Sequence, residues 1–117
     1  MDRHHAQTLV ERERRRIEAA LAGLAADDRS ENDARLDQAG ESKEAGADLQ
    51  FQMTDDAVAA NLRDELAAVE RAEARIADGT YGLSIESGAR IPDARLEVQP
   101  LAERTVEEQG RFEHRRS

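Results

Sequence analysis

The chain has 117 residues and a net charge of −9, with two Phe, one Tyr, no Trp and no Cys. So few aromatics leave little bulk for a large compact core, and the lack of cysteine excludes disulfides, thiolate metal sites and thiol catalysis. The excess of acid argues against general nucleic-acid binding, which needs clustered Lys and Arg against phosphate. The opening MDRHHAQTLVERERRR lacks the apolar centre of a secretory signal. No stretch reaches the roughly 18 apolar residues of a membrane span, so a cytoplasmic location is expected. Ala, Glu, Arg and Leu dominate, which suits long helices.

Residues 2–26 are predicted to form the first helix. Val10, Ile17, Leu21 and Leu24 fall on the a and d positions of a heptad and make one narrow apolar seam. Arg14 interrupts that seam, while Arg12, Arg15 and Arg16 read as a solvated face paired with Glu11, Glu13 and Glu18. Residues 27–50 break the pattern: apolar residues are sparse and Gly40 and Gly46 intervene, leaving at most a frayed continuation through Ala34 and Leu36. The acid concentrates here. Residues 27–56 hold ten acids against three bases, which is −7 of the −9. Such a run is either an acidic tip offered to a basic or metal-bearing partner or a solvated connector.

A second helix is predicted over 53–78, with Thr54 as N-cap and Asp55 and Asp56 in the first turn, where carboxylates suit the helix dipole. Ala59, Leu62, Leu66, Val69 and Ile76 repeat the a/d spacing, and Asp78-Gly79 ends the helix. Two helices with one thin seam each, joined by a polar connector, imply a long antiparallel hairpin, each arm about 38 Å long at ~1.5 Å per residue. Such a hairpin needs a base, and residues 79–117 supply it. Tyr81, Leu83, Ile85, Ile91, Leu96 and Val98 alternate with polar residues among Gly82, Gly88, Pro92 and Pro100, which predicts short strands and turns. Thr105 with Glu108 three residues later fits the capping box of a last helix, whose Val106 and Phe112 are expected to pack back on the strands. The expected architecture is thus mainly α: a coiled-coil hairpin over 1–78 with its acidic tip around 27–52, and a small globular base over 79–117.

Asp78-Gly79-Thr80-Tyr81-Gly82 is followed by Ser87-Gly88, Ile91-Pro92, Arg95-Leu96-Glu97, Pro100 and Ala102. In order and spacing this resembles the C-terminal signature of the DksA/TraR family of bacterial transcription regulators: DGTYG, then Cys-x-x-Cys-Gly, IP..RLE, P.A and Cys-x-x-Cys. The likeness covers about residues 77–110, and the hairpin agrees with the family's architecture. The departure is at the metal site. The family's four zinc-ligand positions fall on Ser84, Ser87, Thr105 and Glu108. The x2, x17, x2 spacing is that of a zinc ribbon, but hydroxyls and one carboxylate are poor zinc ligands. His4, His5 and His114 do not complete a set. No bound metal is expected, and the base reads as a degenerate, zinc-free version of a zinc finger. A structural zinc contributes ~10–16 kcal/mol. Burial of Leu83, Ile85, Ile91, Leu96, Val98, Leu101, Val106 and Phe112 at ~1.5–3 kcal/mol each would be of similar size. Thr105 and Glu108 are expected to cap the last helix, and Ser84 and Ser87 to hold the turn ahead of Gly88.

The resemblance implies a protein that binds RNA polymerase, inserts its hairpin into the secondary channel and modulates initiation, with the alarmone ppGpp as a candidate co-effector. It implies no sequence-specific DNA binding, no membrane association, a monomer and a role in stress responses. The family's tip commonly carries Asp-x-x-Asp-x-Ala. A gap-free count back from Ser84 lands on Glu41-Ser42-Lys43-Glu44-Ala45-Gly46, so Glu41 and Glu44 are the tip candidates, with Gly46 where Ala is expected and Asp48 in reserve. No nucleophile–base pair, phosphate loop or metal cluster supports an enzyme. The alternative is a coiled-coil adaptor that never meets RNA polymerase.

Overall fold

A computed structural model describes residues 1–37 and 54–116, with side chains over 1–26 and 54–115. Its helices are α1 (Arg3–Asp37), α2 (Asp55–Asp78), α3 (Asp93–Val98) and α4 (Val106–Arg116), so the fold is mainly α-helical. Among the described residues, no helix is long and apolar enough to cross a membrane. The chain divides into two compact units, Met1–Arg14 with Ala67–Ser117, and Arg15–Leu66.

In the first unit, the start of α1 and the end of α2 bury Ala6, Leu9 and Val10 with Val69, Ala72 and Ile76. The seam expected from heptad spacing is therefore wider than Val10 alone, and it draws on small residues that spacing of large side chains did not mark. Arg14, in its seam position, escapes the cost of burial by a two-pronged pair with Glu73, Nε–Oε2 3.0 Å and Nη2–Oε1 2.8 Å. This holds the Glu73 carboxyl below the usual carboxylate range. In the second unit, Ile17 and Leu62 are buried, while Leu21, Leu24, Ala59 and Leu66 are half-buried. Arg16 lies 3.6 Å from Glu65 there, an exposed pair of small energetic consequence.

The ends of α2 follow local chemistry. Thr54 Oγ1 accepts the Ala57 N–H at 3.1 Å, satisfying one of the four unpaired donors at the N-terminus. At the other end Gly79 takes φ +82°. The Thr80 and Tyr81 N–H groups turn back onto the Arg75 carbonyl at 2.9 and 3.1 Å, a glycine-enabled stop. By contrast, α1 runs to Asp37 rather than ending near residue 26. Residues 27–37 contain neither Gly nor Pro, so nothing in the backbone ends the helix where the apolar seam stops.

The base differs most from expectation. The expected turns are present, but instead of short strands the base has one isolated antiparallel bridge, Leu83–Arg90, and the later part of the segment read as alternating is the helix α3. Pro92 (φ −57°, ψ 142°) starts it, and its carbonyl accepts the Arg95 and Leu96 N–H groups at 3.0 and 3.2 Å. A proline at the threshold of a helix loses no hydrogen bond. The expected apolar core shrinks accordingly. Ile91 and Leu96 are buried, but Leu83, Ile85, Val98 and Val106 are 39, 51, 79 and 61% exposed. Val106 thus does not pack inward, and the Phe112 ring lies under the Arg104 guanidinium, whose Cζ is 3.8 Å from the ring centroid. Burial of eight side chains is not what holds this base.

Candidate functional site

The tip candidates Glu41, Glu44 and Asp48 lie outside the described residues. The other four candidates, Ser84, Ser87, Thr105 and Glu108, all fall in the base, on a tight turn and at the start of α4.

The turn is made first. The Ser84 N–H donates to the Ala89 carbonyl at 2.8 Å, and the Ser84 carbonyl accepts the Gly88 N–H at 3.0 Å. Gly88 has φ +76°, a conformation that a Cβ would strain. Within the turn, Ser84 Oγ accepts the N–H groups of Glu86 and Ser87 at 3.0 and 3.3 Å, and Ser87 Oγ accepts the Ala89 N–H at 3.1 Å. The start of α4 is a reciprocal capping box: Glu108 Oε1 accepts the Thr105 N–H at 2.9 Å, and Thr105 Oγ1 accepts the Glu108 N–H at 3.2 Å. The Ser84 hydroxyl, then the Ser87 hydroxyl, then the Thr105 backbone N–H hold the Glu108 carboxyl at about 2, against a smaller opposing effect of burial.

As a zinc site this set does not fit. Three neutral hydroxyls and one carboxylate lack the thiolate or imidazole ligands of a tetrahedral structural zinc, and their oxygens accept backbone amides. Of the histidines, His5 contacts Glu97 through Nε2, far in sequence from any of the four.

A second carboxylate was not anticipated. Glu103 binds two arginines of α2: Arg71 Nε and Nη2 donate at 3.1 and 3.2 Å, and Arg75 Nη1 at 2.9 Å. Burial pushes its carboxyl up, but the hydrogen bonds and charges of Arg71 and Arg75 outweigh this, and the net shift is downward. The Ile85 N–H donates to the Glu103 carbonyl at 2.9 Å, so this one residue fastens α2, the Ser84 turn and the approach to α4. Tyr81 pins the remaining loop. Its hydroxyl donates to the Pro100 carbonyl at 2.7 Å, and burial raises it to about 12, so it stays a donor at any physiological pH. The family-like string around Tyr81 therefore has a local purpose: Gly82 at φ +91° brings the loop against Leu96, and its carbonyl accepts the Ile91 N–H at 2.7 Å.

This arrangement has relatives. The chain is 38% identical over 73 residues to the RNA polymerase-binding transcription factor DksA of Caulobacter vibrioides. It is 44% identical over 61 residues to General stress protein 16O of Bacillus subtilis. Its fold matches the structure of the transcription factor DksA2 from Pseudomonas aeruginosa with a TM-score of 0.72, over 97% of this chain and 84% of that one, at 23% identity. The chain belongs to the DksA family. No family model matches it. The matched segments cover 59 and 52% of this chain, and 51 and 37% of the Caulobacter and Bacillus relatives, so the chain spans about half their length or less. At 23% identity the DksA2 likeness speaks to the fold alone.

Proposed function

We propose that this chain is an RNA polymerase-binding regulator of transcription. It acts by presenting the acidic segment between α1 and α2 inside the polymerase's secondary channel and so modulates initiation. The observation that carries this is the 38% identity over 73 residues to a relative named for binding RNA polymerase. The DksA2 fold over nearly the whole chain supports it. The net charge of −9, concentrated between residues 27 and 56, fits a segment that approaches a magnesium ion or basic loops, both of which carboxylates engage, and not one that grips DNA. In this reading Glu41 and Glu44 are the acting carboxylates, with Asp48 in reserve, ppGpp is a candidate co-effector, and the acting form is a monomer. The protein performs no catalysis of its own.

The test is binding to core RNA polymerase in competition with a factor known to occupy the secondary channel. Mutual exclusion is expected, with the double variant Glu41→Ala, Glu44→Ala still bound but without effect on open-complex lifetime. Simultaneous binding of both proteins would rule out the channel. A stable homodimer that ignores the polymerase would instead favour the coiled-coil adaptor.

A further inference from the structure

An open hollow of about 630 Å³ is walled by the last turns of α2, the Ser84 turn and α4. That volume lies in the range of roughly 300–1,000 Å³ typical of small-molecule sites. All of its wall belongs to the first compact unit. The apolar part of the wall is Ala74, Ile85 and Phe112. Ile85 is 51% exposed although its amide is fixed to the Glu103 carbonyl at 2.9 Å, so it offers apolar surface on an anchored backbone.

The rest of the wall is cationic. Arg71, Arg75 and Arg104 line the hollow against one carboxylate, Glu103. Glu86 lies outside it and is shared by Arg104 at 2.6 Å and Arg115 at 3.5 Å. The hollow therefore keeps an excess of positive charge in a chain of net −9. One donor is also left over. Glu103 takes Arg75 Nη1 at 2.9 Å, but Arg75 Nη2, shut off from water, meets no acceptor among the described residues. A buried donor without a partner calls for an acceptor. Excess charge and an orphan nitrogen beside an apolar wall are complementary to a molecule with an oxygen anion and an apolar body. A polyphosphate fits this wall poorly, because Arg71 Nε and Nη2, Arg75 Nη1 and Arg104 Nε are already committed to Glu103 and Glu86. A single carboxylate asks for no more than what is left.

We propose that this hollow binds a small carboxylic acid with an apolar body. The carboxylate lies against Arg71 and Arg75, and the body lies against Ile85 and Phe112. Arg104, stacked on the Phe112 ring, closes one side. An aryl acid and an acyl acid present the same chemistry to this wall. The proposal does not depend on polymerase binding.

The test is titration of the full chain with 2-naphthoate and, separately, with octanoate, followed through amide chemical shifts. At least one of the two should bind saturably, with a Kd of about 1 mM or tighter for a ligand of this size; which one does so tells an aryl from an acyl body. The shifts should be confined to the amides around Arg71, Arg75, Ile85, Arg104 and Phe112. 2-Naphthalenemethanol, an apolar body without the charge, and acetate, the charge without the body, should each bind at least about tenfold more weakly, a difference of ~1.4 kcal/mol. Arg71→Gln should weaken binding about as much. Ile85→Asp should abolish it, with Ile85→Ser in its place should a thermal melt show the Asp variant unfolded. Val98→Asp, at an exposed apolar residue outside the hollow, should leave the affinity unchanged. No saturable binding of either acid, shifts centred elsewhere, equal binding of the neutral alcohol, or an unchanged affinity in the folded Ile85 variant would overturn the proposal.

Discussion

Along α1 and α2, eight apolar side chains are buried among the described residues; beyond residue 78 only two aliphatic side chains are, Ile91 and Leu96. The helices are held as helices usually are, by a stripe of non-directional contacts that tolerates variation in shape. The base is held by directed bonds on a few carboxylates: Glu108 to the Thr105 amide, and Glu103 to Arg71 and Arg75. Small folds that bury too little apolar surface need a staple, for which metals and disulfides are the common choices. Here the staples are hydrogen-bonded carboxylates. Directed bonds fail abruptly when one partner is removed, whereas an apolar seam weakens in proportion to the volume lost.

That contrast can be broken or sharpened experimentally. The largest single effect is expected at Leu96, fully buried and packed against Gly82. Leu96→Ala should cost about 3 kcal/mol in urea unfolding, and a cost under ~1 kcal/mol would mean that the base has no apolar anchor. Next comes Glu103→Ala, which leaves Arg75, with a side chain 12% exposed, without its carboxylate. About 2 kcal/mol is expected, and Glu103→Gln should recover part of it.

Acid should then separate the two regions. Glu108 is held at about 2 against an ordinary 4.5. Its stabilising contribution is therefore fully present above the ordinary carboxylate range and is lost as pH falls from there towards 2. Glu103 and Glu73 are shifted in the same direction and add to the same slope. Stability measured between pH 5 and 2 should fall, and Glu108→Gln should flatten part of that fall; a variant with the same slope as the parent would show that Glu108 is not engaged. The smallest effect is expected at Val98, 79% exposed, where Val98→Ala should change stability by less than ~0.5 kcal/mol.

The helices were largely legible because their signals are local. Thr54 and Gly79 act on amides within a few residues, so their roles can be read from adjacent letters. The base was less so. A six-residue helix such as α3 spans fewer than two turns, and with Ile91 before it and Val98 at its end the apolar letters mimic the alternation of a strand. Only the fixed backbone after Pro92 hints otherwise. Glu103 left no signal at all, since its arginine partners lie 28 and 32 residues away. Arg14 did leave one: a charged residue in an apolar seam demands a partner, though not its identity as Glu73. The capping box over Thr105 and Glu108 was readable from its spacing. That Glu108 is buried was not, because it depends on how the loop through residues 89–104 returns.

The most direct test of the account as a whole is competition for core RNA polymerase by protein that has been exhaustively stripped of zinc. The expected result is displacement of a secondary-channel factor, with the same Kd for stripped and zinc-supplemented protein. No displacement up to about 50 µM, a binding free energy weaker than about −6 kcal/mol, would contradict the proposed function, and displacement that requires added zinc would contradict the metal-free base.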